Sequence, residues 1–480
     1  MASRNAPQRI RTGTARERAA DVLVRVESES AFASAVLDAA LDRAPPLNDA
    51  DRGLLTELVY GVLRTAPALD AALARHASRE GSLAKLDPYT RAVLRIAAYQ
   101  ILALARVPVR AAVNEAVGVL KRDRSQGLGG FANALLRKVA TERAEPLPED
   151  AREHLALASV PKEIESAIAA GLGSRDDARS VLRAMFTAVP TSTIRANSMR
   201  VTREALATRL AGERNNAVIE PGVLSPLALH VRSGGDLSNT PAYREGLFAM
   251  QEEGAQAIAL ATGARPGMRV LDACAGRGGK TAALATSMRG EGTLHAIEMY
   301  PEKAQRIADE LDRLGLRAEK LSFASAAADL TRGFGALTSQ IPDGGYDLVL
   351  LDAPCSGLGT LSRRPDILAR APGRVLMHDE SDDAPVRDTS RIALPELQKR
   401  LLDAVALHVR VGGTLIYAVC TLTRDEGDAQ IEAFRARHPA FEPSEGDASL
   451  PEALRPSRIV LRPDRQGTDG FLTYRLQRTR

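Results

Sequence analysis

The sequence predicts a multidomain chain: an all-α N-terminal domain, a small α+β module, and a C-terminal α/β domain built on a parallel sheet. Three observations carry this. Apolar residues recur at helical spacing through most of residues 15–141, as in Leu54, Leu55, Leu58, Val59, Val62 and Leu63. From residue 266 short apolar runs alternate with helical patterns, as crossover helices on a parallel sheet require. The first of those runs, Arg269–Asp272, enters the turn Cys274-Ala275-Gly276-Arg277-Gly278-Gly279-Lys280, and a helix follows. Such a glycine turn brings backbone N–H groups and a helix N-terminus close to a ligand.

Bulk properties narrow the class. At 480 residues the chain exceeds a single core. Hydrophobic residues make up 45%, and no uninterrupted apolar run approaches the roughly 18 residues of a membrane span. A soluble, globular protein with no membrane partner is expected, and the sparse cysteines fit a reducing, cytoplasmic setting. The formal charge of +4 suits a nucleic-acid partner without requiring one. Trp is absent and aromatics are only 4%, so RNA contact would rest on Arg, Lys and backbone rather than on stacking. Three cysteines, Cys274, Cys355 and Cys420, are too few and too odd in number for a disulfide framework. No C-x-x-C or His cluster suggests a metal. Residues 1–14 carry Arg4, Arg9 and Arg11 without an apolar core and read as a disordered basic arm.

The helical domain, 15–141, includes a stripe of Leu94, Ile96, Ala97, Tyr99, Ile101 and Leu102, with Asn48 as an N-cap and Pro108 opening a further helix. Pro146, Leu147 and Pro148 mark a linker over 142–160. The module at 161–245 mixes a helix (Asp176–Met185), a strand (Thr191–Asn197), a second helix (Thr202–Leu210) and strands at Val218–Val223 and Leu227–Val231. Arg195 and Asn197 read as ordinary surface residues, with RNA contact as the alternative. The third domain, 246–480, starts with a helix ending near Thr262. Strands are then expected at Arg269–Asp272, Thr293–Glu298, Ala318–Leu321, Asp347–Asp352 and Gly413–Cys420, with helices at Thr281–Met288, Glu302–Leu314 and Pro395–Val409. The end of the chain, from Asp469, reads as a final edge strand. The stretch 371–390, with His378-Asp-Glu-Ser-Asp-Asp383, reads as a solvated acidic loop.

Ligands of such sheets sit at the carboxyl ends of the strands. Here those ends carry Asp272 and Cys274, Glu298, Asp352 and Cys355, and Cys420. Glu298 lies about 20 residues past the glycine turn, where an acid accepts hydrogen bonds from ribose hydroxyls. Cys274 reads as a packing residue beside that turn. Cys355 and Cys420 end strands expected to be neighbours, so their thiols should converge. Asp352-Ala-Pro-Cys355-Ser-Gly-Leu-Gly359 adds an acid, a proline-fixed turn and glycines that let a ligand approach.

Two thiols beside a cofactor pocket suit methylation at carbon 5 of a pyrimidine. That carbon is a weak nucleophile until a thiolate adds to carbon 6 and makes it enamine-like. One cysteine would attack and the other would assist release; spacing alone does not say which. A redox dithiol would call for C-x-x-C spacing and a low-pKa thiol. A nicotinamide-dependent dehydrogenase leaves the paired thiols unexplained.

Two resemblances sharpen this. Arg91-Ala-Val-Leu-Arg-Ile-Ala-Ala-Tyr-Gln-Ile, Val107-Pro-Val-Arg-Ala-Ala-Val-Asn114-Glu115-Ala116-Val117 and Gly130-Phe131-Ala-Asn133-Ala-Leu-Leu-Arg137 resemble the NusB-like RNA-binding domain. Residues 160–480 resemble the RNA cytosine carbon 5 methyltransferases, and the whole chain is similar to the bacterial 16S rRNA methyltransferases of the RsmB (Sun/Fmu) type. The resemblance implies a Rossmann-like α/β methyltransferase domain, S-adenosylmethionine as cofactor, and 16S rRNA, free or partly assembled, as partner of a monomer. It implies Cys420 as nucleophile and Cys355 as the release cysteine. It also implies Cys274–Lys280 as cofactor loop, Glu298 on the ribose, Asp352 near the methionine amino group or the target base, and Arg363–Ile367 near the RNA path.

The chain departs from the family pattern in several places. Gly276-Arg277 stands where Ala-Pro is usual, Glu298 where Asp is commoner, and Val419-Cys420-Thr421 where Thr-Cys-Ser is usual. The third-strand acid that the resemblance implies on the adenine amino group is not where expected, and Phe323-Ala-Ser-Ala-Ala-Ala-Asp329 offers Asp329 after a longer loop. The altered loop and Val419 also admit a ribosome-assembly factor that binds RNA with lost or weak methylation.

Overall fold

The computed structural model describes residues 13–29, 31–77, 81, 83–188, 191–369 and 393–480. Nearly all of the expected basic arm and the acidic loop at 371–390 lie outside these residues. The chain divides into two compact units, Met1–Glu165 with Leu361–Ser390, and Ser166–Thr360 with Arg391–Arg480.

The first unit is helical: α1 (Ala15–Glu29), α2 (Ala33–Leu41), α3 (Asp49–His76), α4 (Pro88–Ala103), α5 (Val109–Asp123), α6 (Gln126–Val139) and α7 (Ala151–Leu157). One core holds the apolar stripes of these helices, with Leu55, Leu58, Leu94 and Ile101 fully buried. Asn48 caps α3, its Oδ1 accepting the Asp51 N–H at 2.8 Å. Residues 142–160 are more than a linker: α7 forms there, and Ser159 Oγ accepts the Ala68 N–H at 3.2 Å, next to Pro67 within α3. The stretch Arg363–Ile367 belongs to this unit. Arg64 Nη2 donates to Ser362 O at 2.8 Å, Arg364 lies over the Phe32 ring at 4.9 Å, and Asp366 is buried.

In the second unit, α8 (Lys162–Leu172) and α9 (Arg175–Thr187) lead to a small antiparallel sheet. Its elements are β1 (Ser192–Ala196), α10 (Arg203–Glu213), β2 (Val218–Pro221), β3 (Ala228–Arg232), α11 (Pro241–Arg244) and β4 (Phe248–Met250), in strand order β2-β3-β1-β4. Arg195 and Asn197 are not surface residues. They are 3% and 2% exposed because each stitches this sheet to its neighbours. Arg195 donates to Gln251 Oε1 (2.8 Å) and Thr286 Oγ1 (3.1 Å), and Asn197 Nδ2 donates to Gly246 O and Leu314 O.

The large sheet follows: α12 (Glu253–Ala261), β5 (Arg269–Asp272), α13 (Gly279–Ser287), β6 (Gly292–Glu298), α14 (Pro301–Leu314), β7 (Leu321–Ala327), β8 (Tyr346–Asp352), α15 (Leu394–Ala406) and β9 (Val409–Val419). It is completed by α16 (Asp428–Arg437), β10 (Phe441–Pro443), β11 (Arg458–Leu461), α17 (Pro463–Gln466) and β12 (Phe471–Arg478). The order is β10-β12-β9-β8-β5-β6-β7, with β11 also on β12. Strands β5 to β9 are parallel, and the order reverses between β5 and β8. The crevice for a ligand therefore opens where Asp272 and Asp352 end adjacent strands.

Three expectations change. The third parallel strand lies at Leu321–Ala327, past Ala318, because Gly315 in the left-handed region ends α14 and a turn follows. The expected helix to Val409 stops at Ala406; Val409 already pairs with Tyr346, and Gly412 and Gly413 absorb a register shift before the main ladder. Finally, β12 is not an edge strand. It pairs with β9 on one side and with β10 and β11 on the other, which accounts for six consecutive buried residues from Phe471.

Candidate active site

The glycine turn is built by the backbone. Ala273 N donates to Leu350 O and Ala275 N to Ile297 O, which fasten the turn to the flanking strands at 2.8 and 2.9 Å. Gly276 and Gly278 have φ of +57° and +82°, where side chains with a Cβ are strained. A Cβ on Gly276 would meet nothing within 4 Å, whereas one on Gly278 would sit 3.1 Å from Ile307. The turn is thus open on its Gly276 side and packed against α14 on the other. Arg277 is exposed between them.

Side chains at the neighbouring strand ends converge on this turn. Glu298, 8% exposed, accepts the Gly276 N–H at 2.9 Å and the Tyr300 N–H at 3.2 Å; burial pushes its carboxyl pKa up. Asp272 is fully buried, accepts the Thr281 hydroxyl at 2.7 Å and leaves Oδ1 without a protein partner. Burial above all, then the nearby Asp352 charge, raises its pKa to about 7. Lys280 donates to Asp352 Oδ2 at 2.6 Å. Burial alone would lower the Lys280 pKa, but the Asp352 charge and hydrogen bond outweigh it. Asp329 lies on the loop after β7, where its Oδ1 accepts the N–H and hydroxyl of Thr331.

The thiols divide two against one. Cys355 and Cys420 Sγ are 3.2 Å apart, joined across 65 positions by the β8–β9 pairing. Both are half-buried, as is Cys274. The Cys420 hydrogen bond raises the Cys355 pKa most, with burial adding to it; burial likewise raises that of Cys274. The glycine at 359 serves a purpose other than ligand approach. Its N–H donates to Cys420 O at 3.0 Å and its carbonyl accepts from Gly470 N, at a spot where any Cβ would strike backbone. It lets the Cys355 loop lie flat against the chain that carries Cys420. Val419 is fully buried and paired with Leu472, so its apolar side chain suits the core it enters.

Sequence reasoning missed Glu426. This buried acid accepts the Ser356 N–H (2.8 Å) and hydroxyl (2.6 Å), the Thr423 hydroxyl (3.1 Å) and the Gln398 amide (3.0 Å). Nothing in its local string distinguishes it from a surface acid. Among the described residues, no group of three or more His, Cys, Asp or Glu could hold a metal ion, and no helix is long and apolar enough to cross a membrane.

Comparison with known proteins bears on this geometry. The model described as 16S rRNA methyltransferase RsmB/F matches residues 258–477, and that of the NusB family matches 13–141. Ribosomal RNA small subunit methyltransferase B of Pseudomonas putida is 32% identical over 466 residues, 95% of this chain and 97% of that protein. The chain belongs to the 16S rRNA methyltransferase RsmB/F family. The protein of the same name from Xylella fastidiosa strain 9a5c is 32% identical over 95% of this chain and 99% of its own length. Among solved structures, PH0851 superposes with a TM-score of 0.74 at 20% identity over 98% of this chain and 100% of that one. NSun6 from Pyrococcus horikoshii with SFG gives 0.53 at 17% identity over 68% and 100%.

The protein is therefore an S-adenosylmethionine-dependent methyltransferase of this family, with a NusB domain ahead of a Rossmann-like catalytic sheet. The residues at the crevice fit that cofactor. A turn open at Gly276, the Glu298 carboxylate fastened to it, and the unpartnered Oδ1 of buried Asp272 are acceptor-rich features beside a glycine cradle.

Proposed function

We propose that the protein methylates carbon 5 of a cytidine in 16S rRNA, with Cys420 as nucleophile and Cys355 as the release cysteine. The observation that carries this reading is the 3.2 Å approach of two half-buried thiols beside the cofactor turn. When bound, S-adenosylmethionine supplies an electrophilic methyl group on sulfonium. Glu298 and the Cys274–Lys280 turn would hold its ribose and methionine portions, with Asp329 towards the adenine. Asp352, paired to Lys280, orients the base or the methionine amino group.

Cys420 attacks carbon 6 as the thiolate, and the pair of electrons this releases makes carbon 5 nucleophilic. Lys280, drawn in by Asp352, stabilises negative charge at this end of the sheet. Once carbon 5 carries the methyl group, its proton is lost to water and the carbon 6–sulfur bond breaks. The Cys355 S–H, kept protonated by its raised pKa, donates a hydrogen bond to the departing Cys420 sulfur. The target base must be unstacked to reach the thiols, which favours free or partly assembled RNA in the cytoplasm. The mild excess of basic residues supports salt-sensitive backbone binding.

Covalent trapping tests the assignment. Wild type, Cys420→Ala and Cys355→Ala are incubated with S-adenosylmethionine and 16S rRNA, and protein–RNA adducts are resolved on a denaturing gel. Cys355→Ala is expected to accumulate adduct and Cys420→Ala to give none. The reverse pattern exchanges the two roles, and absence of both adduct and methyl transfer in wild type removes the proposal.

A further inference from the structure

The two cysteine loops are held in different ways. Cys420 directly follows β9, whose ladder and the Gly359 N–H fix its backbone. Cys355 lies on a loop past β8, and contacts on both sides of it reach a single carboxylate, with Ser356 Oγ also 3.1 Å from Thr421 Oγ1 beside Cys420. Glu426 accepts the N–H and hydroxyl of Ser356, the residue next to Cys355. Gln398, fully buried on α15, uses its amide to bridge Glu426 (3.0 Å) and Pro354 O (2.9 Å), on the other side of Cys355. Thr423 adds a donor from the Cys420 loop, and the Tyr417 hydroxyl pins the Glu426 carbonyl at 2.8 Å.

Glu426 is 6% exposed, and among the described residues every donor to its carboxylate is neutral. Burying a carboxylate against neutral donors costs solvation that an apolar filler would avoid. Its return is geometric: one rigid acceptor fixes three chain segments around a thiol.

We propose that Glu426 is a positioning residue that holds Cys355 against Cys420, and thereby governs product release more than attack. The proposal rests on the assignment of Cys420 as nucleophile and Cys355 as release group. Loosening the clamp acts first on Pro354–Ser356, while Cys420 keeps its place at the end of β9 and its hydrogen bond from Gly359.

Two variants test this. Glu426→Asp keeps the charge but withdraws it by one methylene; Gln398→Met keeps Glu426 and removes the bridging amide at similar volume. Folding is checked by circular dichroism and melting, and Gln398→Met carries the test if Glu426→Asp does not fold. The first readout needs neither RNA nor cofactor. Diamide takes up the two thiol hydrogens as a Cys355–Cys420 disulfide forms, and peptide mapping follows the rate. Crosslinking should slow by about tenfold in Glu426→Asp and about threefold in Gln398→Met. The second readout is the reaction with rRNA. Steady-state turnover should fall about tenfold with adduct accumulating, while single-turnover methyl transfer stays within about threefold of wild type.

Crosslinking at the wild-type rate in both variants overturns the positioning role. So does a parallel loss of single-turnover transfer and steady-state turnover in a folded variant, because the clamp would then serve attack. Slow crosslinking combined with adduct levels indifferent to Cys420→Ala upholds the clamp and overturns the thiol assignment beneath it.

Discussion

Two halves of one crevice are built by opposite means. The glycine turn at Cys274–Lys280 is shaped by its own backbone, with positive φ at Gly276 and Gly278, strand-to-turn hydrogen bonds, and one carboxylate reaching in from the next strand. The thiol half has no comparable local rule. Cys355 and Cys420 meet because β8 and β9 pair, and Glu426 holds their loops through side chains from three separate segments. Local backbone constraint makes a site tolerant of its surroundings; a side-chain clamp makes it sensitive to changes far along the chain.

The largest effect should come from the thiol half. Cys420→Ala is expected to lower methyl transfer to rRNA by at least about a thousandfold, measured with radiolabelled cofactor. Retained activity would mean that the two halves do not share one reaction. Next comes the link between them. Lys280→Met, which strips Asp352 of its cation, should reduce kcat/KM by about a hundredfold while thermal stability falls little.

A pH series addresses the buried acid under the turn. Asp272 has a folded pKa raised to about 7, above its unfolded value, so the fold favours its protonated form. The stability this contributes is fully present below the unfolded pKa and is lost as pH rises through about 7. Between pH 5 and 8 wild type without cofactor should therefore lose stability relative to Asp272→Asn, on the order of 2 kcal/mol. Parallel melting curves for the two proteins would contradict the burial argument.

Within the turn, Gly278→Ala should cost about 1–3 kcal/mol, since it combines strain at positive φ with a Cβ 3.1 Å from Ile307. Gly276→Ala meets open space and should cost about 1 kcal/mol from strain alone. Denaturant titration compares the two, and equal losses would mean that contact with α14 does not matter. The smallest change is expected of Cys274→Ser, within about threefold in activity, because the close thiol contact joins Cys355 to Cys420 and does not include Cys274.

Much of this was legible in the sequence, and the pattern of what was not is instructive. Helical stripes, the Asn48 cap and the parallel strands follow from periodicity and local hydrogen-bonding needs, so their residues announce them. The glycine turn is legible for the same reason: only glycine reaches its backbone angles without strain. Arg195 and Asn197 misled because a polar residue in a strand reads as exposed until its partners are known, and those partners lie 56 and 117 positions away. The final strand misled because what lies on its outer side comes from β10 and β11, two short segments with little pattern of their own.

The sequence by itself determined most of the helices and parallel strands, the glycine turn and the presence of two thiols at strand ends, since each depends on neighbours within a few residues. Only the tertiary structure decided that those thiols lie 3.2 Å apart, that Gly359 exists to let two backbones touch, and that an acid six positions past Cys420 holds the opposite loop. Such contacts arise from strand order and register, which fix distances between residues that no local pattern connects.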